Sequence, residues 1–175
     1  MALSYGTKGL KQKSWRVYIA PADTVGLDDG LDLIDAGGGT APVDDAIDLM
    51  SEYGECRDDS IVVTGEDGDS IEGNVTGNIV LNKSCTMSAE LINFTPDNIS
   101  ALENLDGTEV SVLLVEKDSH LVNTKYYKTV IIIRHKNMSY SENITGGDTG
   151  KAMITVSDTP NKIGKFRTIY DCEVK

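Results

Sequence analysis

Few side chains in this sequence are spaced for proton transfer, metal binding or nucleophilic attack. Gly146-Gly147-Asp148-Thr149-Gly150-Lys151 has the outline of a phosphate-binding loop. Such a loop needs a glycine where Thr145 stands and a Ser or Thr where Ala152 stands, the latter to hold magnesium. It must also open a helix, so that backbone amides point at the anion, and here it joins two strand-like stretches. A hairpin turn is the better reading. Asp67-Gly68-Asp69 with Glu72 lacks the third alternate ligand and the following glycine of a calcium loop. Asp28-Asp29 and Asp44-Asp45 would share a cation only if the fold brought them together; a solvated acidic loop is the plainer alternative. His120 falls in an expected turn after Asp118. His135 lies between Arg134 and Lys136, whose charge disfavours a protonated ring.

Three cysteines, Cys56, Cys85 and Cys172, are an odd number at unrelated spacings. They make neither a disulfide framework nor a metal site, and Cys85 sits in an apolar strand pattern that suits a buried thiol. No serine lies in a nucleophile elbow. Paired carboxylates for glycoside cleavage would want aromatic walls, and the chain has one Trp, two Phe and seven Tyr. The expectation is therefore a protein that is not an enzyme, with no catalytic residue, no metal and no cofactor. Sequons occur at Asn74, Asn82, Asn93, Asn98, Asn137 and Asn143, several inside expected strands or at the helix start. They read as a by-product of Asn, Ser and Thr richness.

The elements that must position these residues are mainly strands. Residues 14–20 alternate, and Pro21 ends them. Residues 22–46, rich in Gly and Asp and including Gly37-Gly38-Gly39, read as a long loop. It is expected either to be an arm that orders against a neighbour or to be a plain surface loop. A strand at 60–65 and a turn at 66–73 follow. Residues 78–92 give the clearest period-two signal, with Ile79, Leu81, Cys85, Met87, Ala89 and Leu91 on one face. Thr95 is a good N-cap and Pro96 a good first residue for a helix over 96–105, which Asp106-Gly107 stops. Residues 109–116 are apolar on both faces, so this strand should lie between two layers. Further strands are expected at 125–135, 138–145, 151–157 and 165–174.

Eight or so strands and one helix predict a mainly β fold, a β-sandwich or small barrel with one flanking helix. A single domain over 1–175 is expected, with a long acidic Gly-rich loop or arm at about 21–59. Trp15, Ile79, Leu81, Met87, Leu91, Leu102, Val112, Ile132 and Ile154 are the expected core.

Charge is the other constraint. The formal net charge is −12, and residues 21–59 hold 12 acids against Arg57 alone. Attraction to phosphate backbones is disfavoured. Residues 1–20 carry four bases and no acid. A weak basic cluster (Lys125, Lys128, Arg134, Lys136) could meet the acidic segment of a neighbouring copy. No stretch reaches the roughly 20 apolar residues of a membrane helix, and Met1–Lys13 lacks a signal-peptide core, so folding where the chain is made is expected.

The order of elements resembles the tail tube (major tail) proteins of long-tailed bacteriophages. The resemblance rests on the early strand Trp15-Arg16-Val17-Tyr18-Ile19, the long acidic segment, and the strand Asn78 to Leu91. That strand runs into the helix Thr95 to Leu105 and back into Glu109 to Glu116, and late paired strands from Tyr126 to Val156 complete it. It covers most of residues 14–174 through element order rather than a diagnostic motif. It implies a protomer that assembles with itself into stacked, hexameric rings and meets other tail proteins. DNA would pass through the lumen without specific binding and without membrane insertion. The location implied is the virion tail, assembled in the host cytoplasm, with acids on the inner strands lining the lumen. Competing readings are a tail terminator, a distal-tail protein, the inner tube of a contractile system, or a β-sandwich module that binds carbohydrate or a host surface.

Overall fold

The computed structural model describes residues 14–36, 41–67, 70–73, 77–80, 83–92, 94–143, 151–158 and 167–174. Eleven strands are described: β1 Ser14–Pro21, β2 Ser51–Arg57, β3 Val62–Asp67, β4 Ser70–Gly73, β5 Gly77–Val80, β6 Lys83–Ile92, β7 Glu109–Glu116, β8 His120–Val122, β9 Lys125–Asn143, β10 Lys151–Ser157 and β11 Thr168–Glu173. Three α-helices accompany them: α1 Leu27–Asp35, α2 Ala41–Ile47 and α3 Pro96–Leu105.

Six strands close into an antiparallel barrel in the order β10-β6-β2-β1-β7-β9, with β9 pairing back onto β10. Closure decides for the barrel between the two architectures expected. It is possible because β9 is 19 residues long. Its first half pairs with β11 (Thr168↔Ile132) and its second half with β10 (Ile154↔Tyr140), while β7 runs along its other side. Two separate strands at 125–135 and 138–145 were the expectation; a β-bulge at Arg134–His135 bends one strand instead. Val110 pairs with Lys136 but Val112 with Ile133, so β9 carries an extra residue there. His135 takes it up in the left-handed region at φ 51°.

The strands bury two faces. Trp15, Val17, Ile19, Met87, Leu91, Val112, Leu114, Ile133 and Ile154 fill the barrel interior, to which α3 adds Leu102. Alternate residues Tyr18, Ala20, Leu113, Val115, Val130 and Ile132 face outward beneath α1 and α2. β7 is buried from Val110 to Glu116, and so lies between two layers as its composition implies. Seven of the nine expected core residues are buried, which leaves Ile79 on β5 and Leu81 outside the described residues. Of the strand expected at 78–92, β5 and β6 cover 78–80 and 83–92, and residues 81–82 lie outside the described residues. The turn expected at 66–73 is overturned where residues are described, since β3 runs to Asp67 and Ser70–Gly73 is β4.

The acidic segment is the main correction. Among the described residues of 22–46, the expected loop or arm is largely replaced by α1 and α2. Leu27, Leu31 and Ile34 recur at helical spacing and are buried, and Asp28 and Asp29 in the first turn of α1 suit the positive end of the helix dipole. Gly26, at φ 80°, makes the entry into α1. Burying three such side chains contributes on the order of 1.5–3 kcal/mol each. β2 also lies within the segment and is a full barrel strand, with Tyr53 and Cys56 buried. Gly54, at φ 119°, supplies the backbone freedom where the β1–β2 register shifts. The helix over 96–105 forms as its signals dictate: the Asn98 amide donates to Thr95 Oγ1 at 3.3 Å, and Phe94 packs against the barrel core.

Candidate functional site

The outline of a phosphate loop, 146–150, lies outside the described residues, as does 68–69 between β3 and β4. Asp28 and Asp29 are on α1, and Asp44 and Asp45 on α2. Among the described residues no three His, Cys, Asp or Glu side chains are grouped to hold a metal ion. Cys56 and Cys172 are buried and Cys85 half-buried, and none of the three is in a disulfide. Burial pushes the Cys172 thiol up, and nearby Asp171 adds to the shift.

The two histidines sit in polar networks that the sequence did not foretell. His120 is in β8 rather than in a turn; its Nδ1 lies 2.9 Å from Glu116 Oε2. The same buried carboxylate oxygen accepts the Thr129 amide at 2.9 Å, so it ties β7, β8 and β9 together. The bulge aims His135 toward α1. Its Nε2 is 2.9 Å from Asp28 Oδ1 and its Nδ1 is 3.4 Å from Glu109 Oε1. Carboxylates therefore face both ring nitrogens, in place of the cationic surroundings implied by Arg134 and Lys136. His135 and Glu109 line a shallow cleft of about 730 Å³ with Asp23 and the C-terminal end of α3. Its polar groups join one element to another.

The basic cluster is spent largely within the chain. Arg134 donates to Asp32 at 2.6 Å and to Asp35 at 2.7 Å, which clamps α1 onto β9. Lys136 makes a buried pair with Asp158 at 2.8 Å, and Lys125 pairs with Glu173. The acids that answer Arg134 come from the same molecule rather than from a neighbour. Only the fold could reveal these partners, which lie 102 and 99 residues away in sequence.

The groups left over for external contact are backbone edges and hairpins. Among the described residues β3 pairs only with β6, and β11 only with β9. Both strands run off the closed barrel with one side unpaired. β4 and β5 pair with each other as a separate two-stranded sheet. A second hairpin end, β8–β9, turns at Asn123 (φ 47°) and Thr124 (φ 73°) and exposes Leu121, Val122 and Tyr126. Ile169 on β11 is half exposed. The expected strands at 60–65 and 165–174 cover β3 in part and β11 in full, but their pattern cannot say which strand ends a sheet.

No protein-family model and no curated protein matches the chain. No helix among the described residues is long and apolar enough to cross a membrane.

Proposed function

We propose that this chain is a structural subunit that polymerises through its strand edges into stacked rings, as the tail tube protein of a long-tailed bacteriophage does. The observation that carries the reading is that β3 and β11, attached to different strands of the closed barrel, each pair on one side only among the described residues. An unpaired edge invites another chain. Two unlike edges on one protomer suit head-to-tail association, which closes into a ring when the rotation allows. The β4–β5 hairpin adds support, because a two-stranded ribbon is marginal alone and gains from packing on a neighbour. The charge of −12 suits a tube through which DNA slides without adhering. A carbohydrate module is less well supported: Tyr126 is the one aromatic among the exposed large apolar side chains described.

Negative-stain electron microscopy across a concentration series, with light scattering after size exclusion, tests the proposal. Rings or hollow tubes are expected, and Ile169→Lys should leave a folded monomer that no longer assembles. A wild-type monomer at every concentration would overturn self-assembly. Tubes unaffected by the β11 substitution would overturn the edge assignment.

A further inference from the structure

The two ends of β7 carry opposite kinds of surface. The strand spans Glu109–Glu116, so its ends lie roughly 24 Å apart at about 3.4 Å per residue. Beyond Glu116 the chain turns into the β8–β9 hairpin. At Glu109 the cleft of about 730 Å³ opens between the end of β1 and the C-terminal end of α3.

The hairpin is an apolar, basic knob. Leu121 pairs directly with Tyr126, and Val122 with Lys125. Leu121 and Tyr126 therefore share one face of the ribbon, and Val122 and Lys125 the other. Leu121, Tyr126 and Val122 are 60%, 55% and 44% exposed, and apolar side chains clustered in this way on a surface mark a contact. Asn123 and Thr124 between them both have positive φ, which makes the tip a tight two-residue turn. A knob ordered in advance loses little freedom on docking. Residues 119–130 hold Lys125, Lys128 and His120 and no acid.

The cleft is the complement of that knob. Pro21, Ala22 and Leu105 supply its apolar surface, and Asp23 and Glu109 stand exposed in its lining. His135 is the one basic residue there, and it faces Asp28 and Glu109. The last turn of α3 holds no base, so no side chain of the helix offsets the negative end of its dipole. Acid outweighs base throughout, which favours a basic visitor.

We propose that the β8–β9 hairpin of one copy docks in this cleft on another copy. Its apolar tip meets Pro21, Ala22 and Leu105, and Lys125 meets Asp23. The contact rests on the self-assembly reading and is separate from the strand edges. Knob and cleft lie at opposite ends of one strand, so the contact is heterologous and repeats in a single direction. Two copies carrying −12 each repel overall, and this pairing sets the acid-free segment of one against acids of the other. Within its own molecule Lys125 reaches Glu173 in an exposed pair at 2.9 Å, a contact weak enough to exchange.

The test is cross-linking between two full-length variants, Val122→Cys on the hairpin and Ala22→Cys in the cleft. They are mixed, oxidised with copper–phenanthroline and run on gels without reductant. The expected result is a disulfide-linked dimer in the mixture, well above the level in either variant or the wild type alone. Lys125→Glu on the hairpin variant should lower it several-fold, and Glu109→Lys on the cleft variant should restore it. Circular dichroism reports that each variant is folded. A mixture that cross-links no more than its separate components overturns the contact, and if the wild type still forms tubes, assembly through strand edges stands without it. Indifference to both charge substitutions overturns the pairing of Lys125 with the acidic cleft. A strong cross-link from a protein that forms chains but no rings supports the contact and overturns ring closure.

Discussion

The barrel and the α1–α2 layer share strands β1, β7 and β9 but are held by different means. Barrel strands are tied by ladders between residues far apart in sequence, and closure leaves their interior side chains dry. The helical layer is bound by the outward residues of the same strands, by Leu27, Leu31, Ile34, Val43 and Ala46, and by ion pairs at its rim. The ion pairs themselves differ. Lys136–Asp158 is buried at the seam between β9 and β10, whereas Asp32, one partner of Arg134, has a side chain 69% exposed. One fold thus uses charge in two ways: as a buried bond that must be made, and as a solvated guide that orients a helix.

The largest effect should come from breaking the seam. Asp158→Ala leaves Lys136 buried without that carboxylate, and we expect a loss of about 3–5 kcal/mol in urea denaturation. A loss under 1 kcal/mol would mean that the pair is solvated and that the contrast fails.

Next come matched truncations in the two layers. Leu114→Ala in the barrel interior should cost about 2–5 kcal/mol and raise hydrogen exchange throughout the barrel. Leu31→Ala has a similar local cost, but its faster exchange should be confined to α1 and α2. Uniform acceleration in both variants would show that barrel and helices open as one unit.

A pH test follows on the barrel wall. Tyr140 is pushed up to about 12, first by burial and then by its hydroxyl donating to Glu142 at 3.0 Å. A pKa raised by folding stabilises the protein below the unfolded value, near 10, and the contribution is lost as pH rises toward 12. The alkaline decline in stability between those values should be shallower in Tyr140→Phe. Identical profiles would remove Tyr140 from the account.

Arg134→Leu should cost only about 1 kcal/mol, since its partners are at the surface, and that loss should shrink in high salt. The smallest expected effect is a gain. Gly30 lies inside α1, and an added Cβ would sit 3.8 Å from Ala46, an ordinary contact. Gly30→Ala should stabilise the helical layer by about 0.5–1 kcal/mol. A loss, read as faster exchange in α1, would mean that the two helices cannot accommodate the methyl group.

The sequence by itself determined the elements whose signals are local. Thr95-Pro96 starts α3 because capping chemistry acts within one turn, and the all-apolar β7 required two covering layers. The same logic was available for Leu27, Leu31 and Ile34, whose spacing is helical; the surrounding glycines and aspartates obscured it, because those residues favour turns in isolation. β2 was hidden because Ser-Glu-Tyr-Gly-Glu-Cys-Arg has too few apolar residues to declare a strand, yet its neighbours β1 and β6 hold it in the ladder. Tertiary structure alone decided that β9 is continuous and bulged, that the barrel closes on β10, and that His135 and Arg134 meet the carboxylates of α1. Those outcomes depend on contacts across as many as 107 residues, where no local propensity reaches and only mutual burial selects the partner.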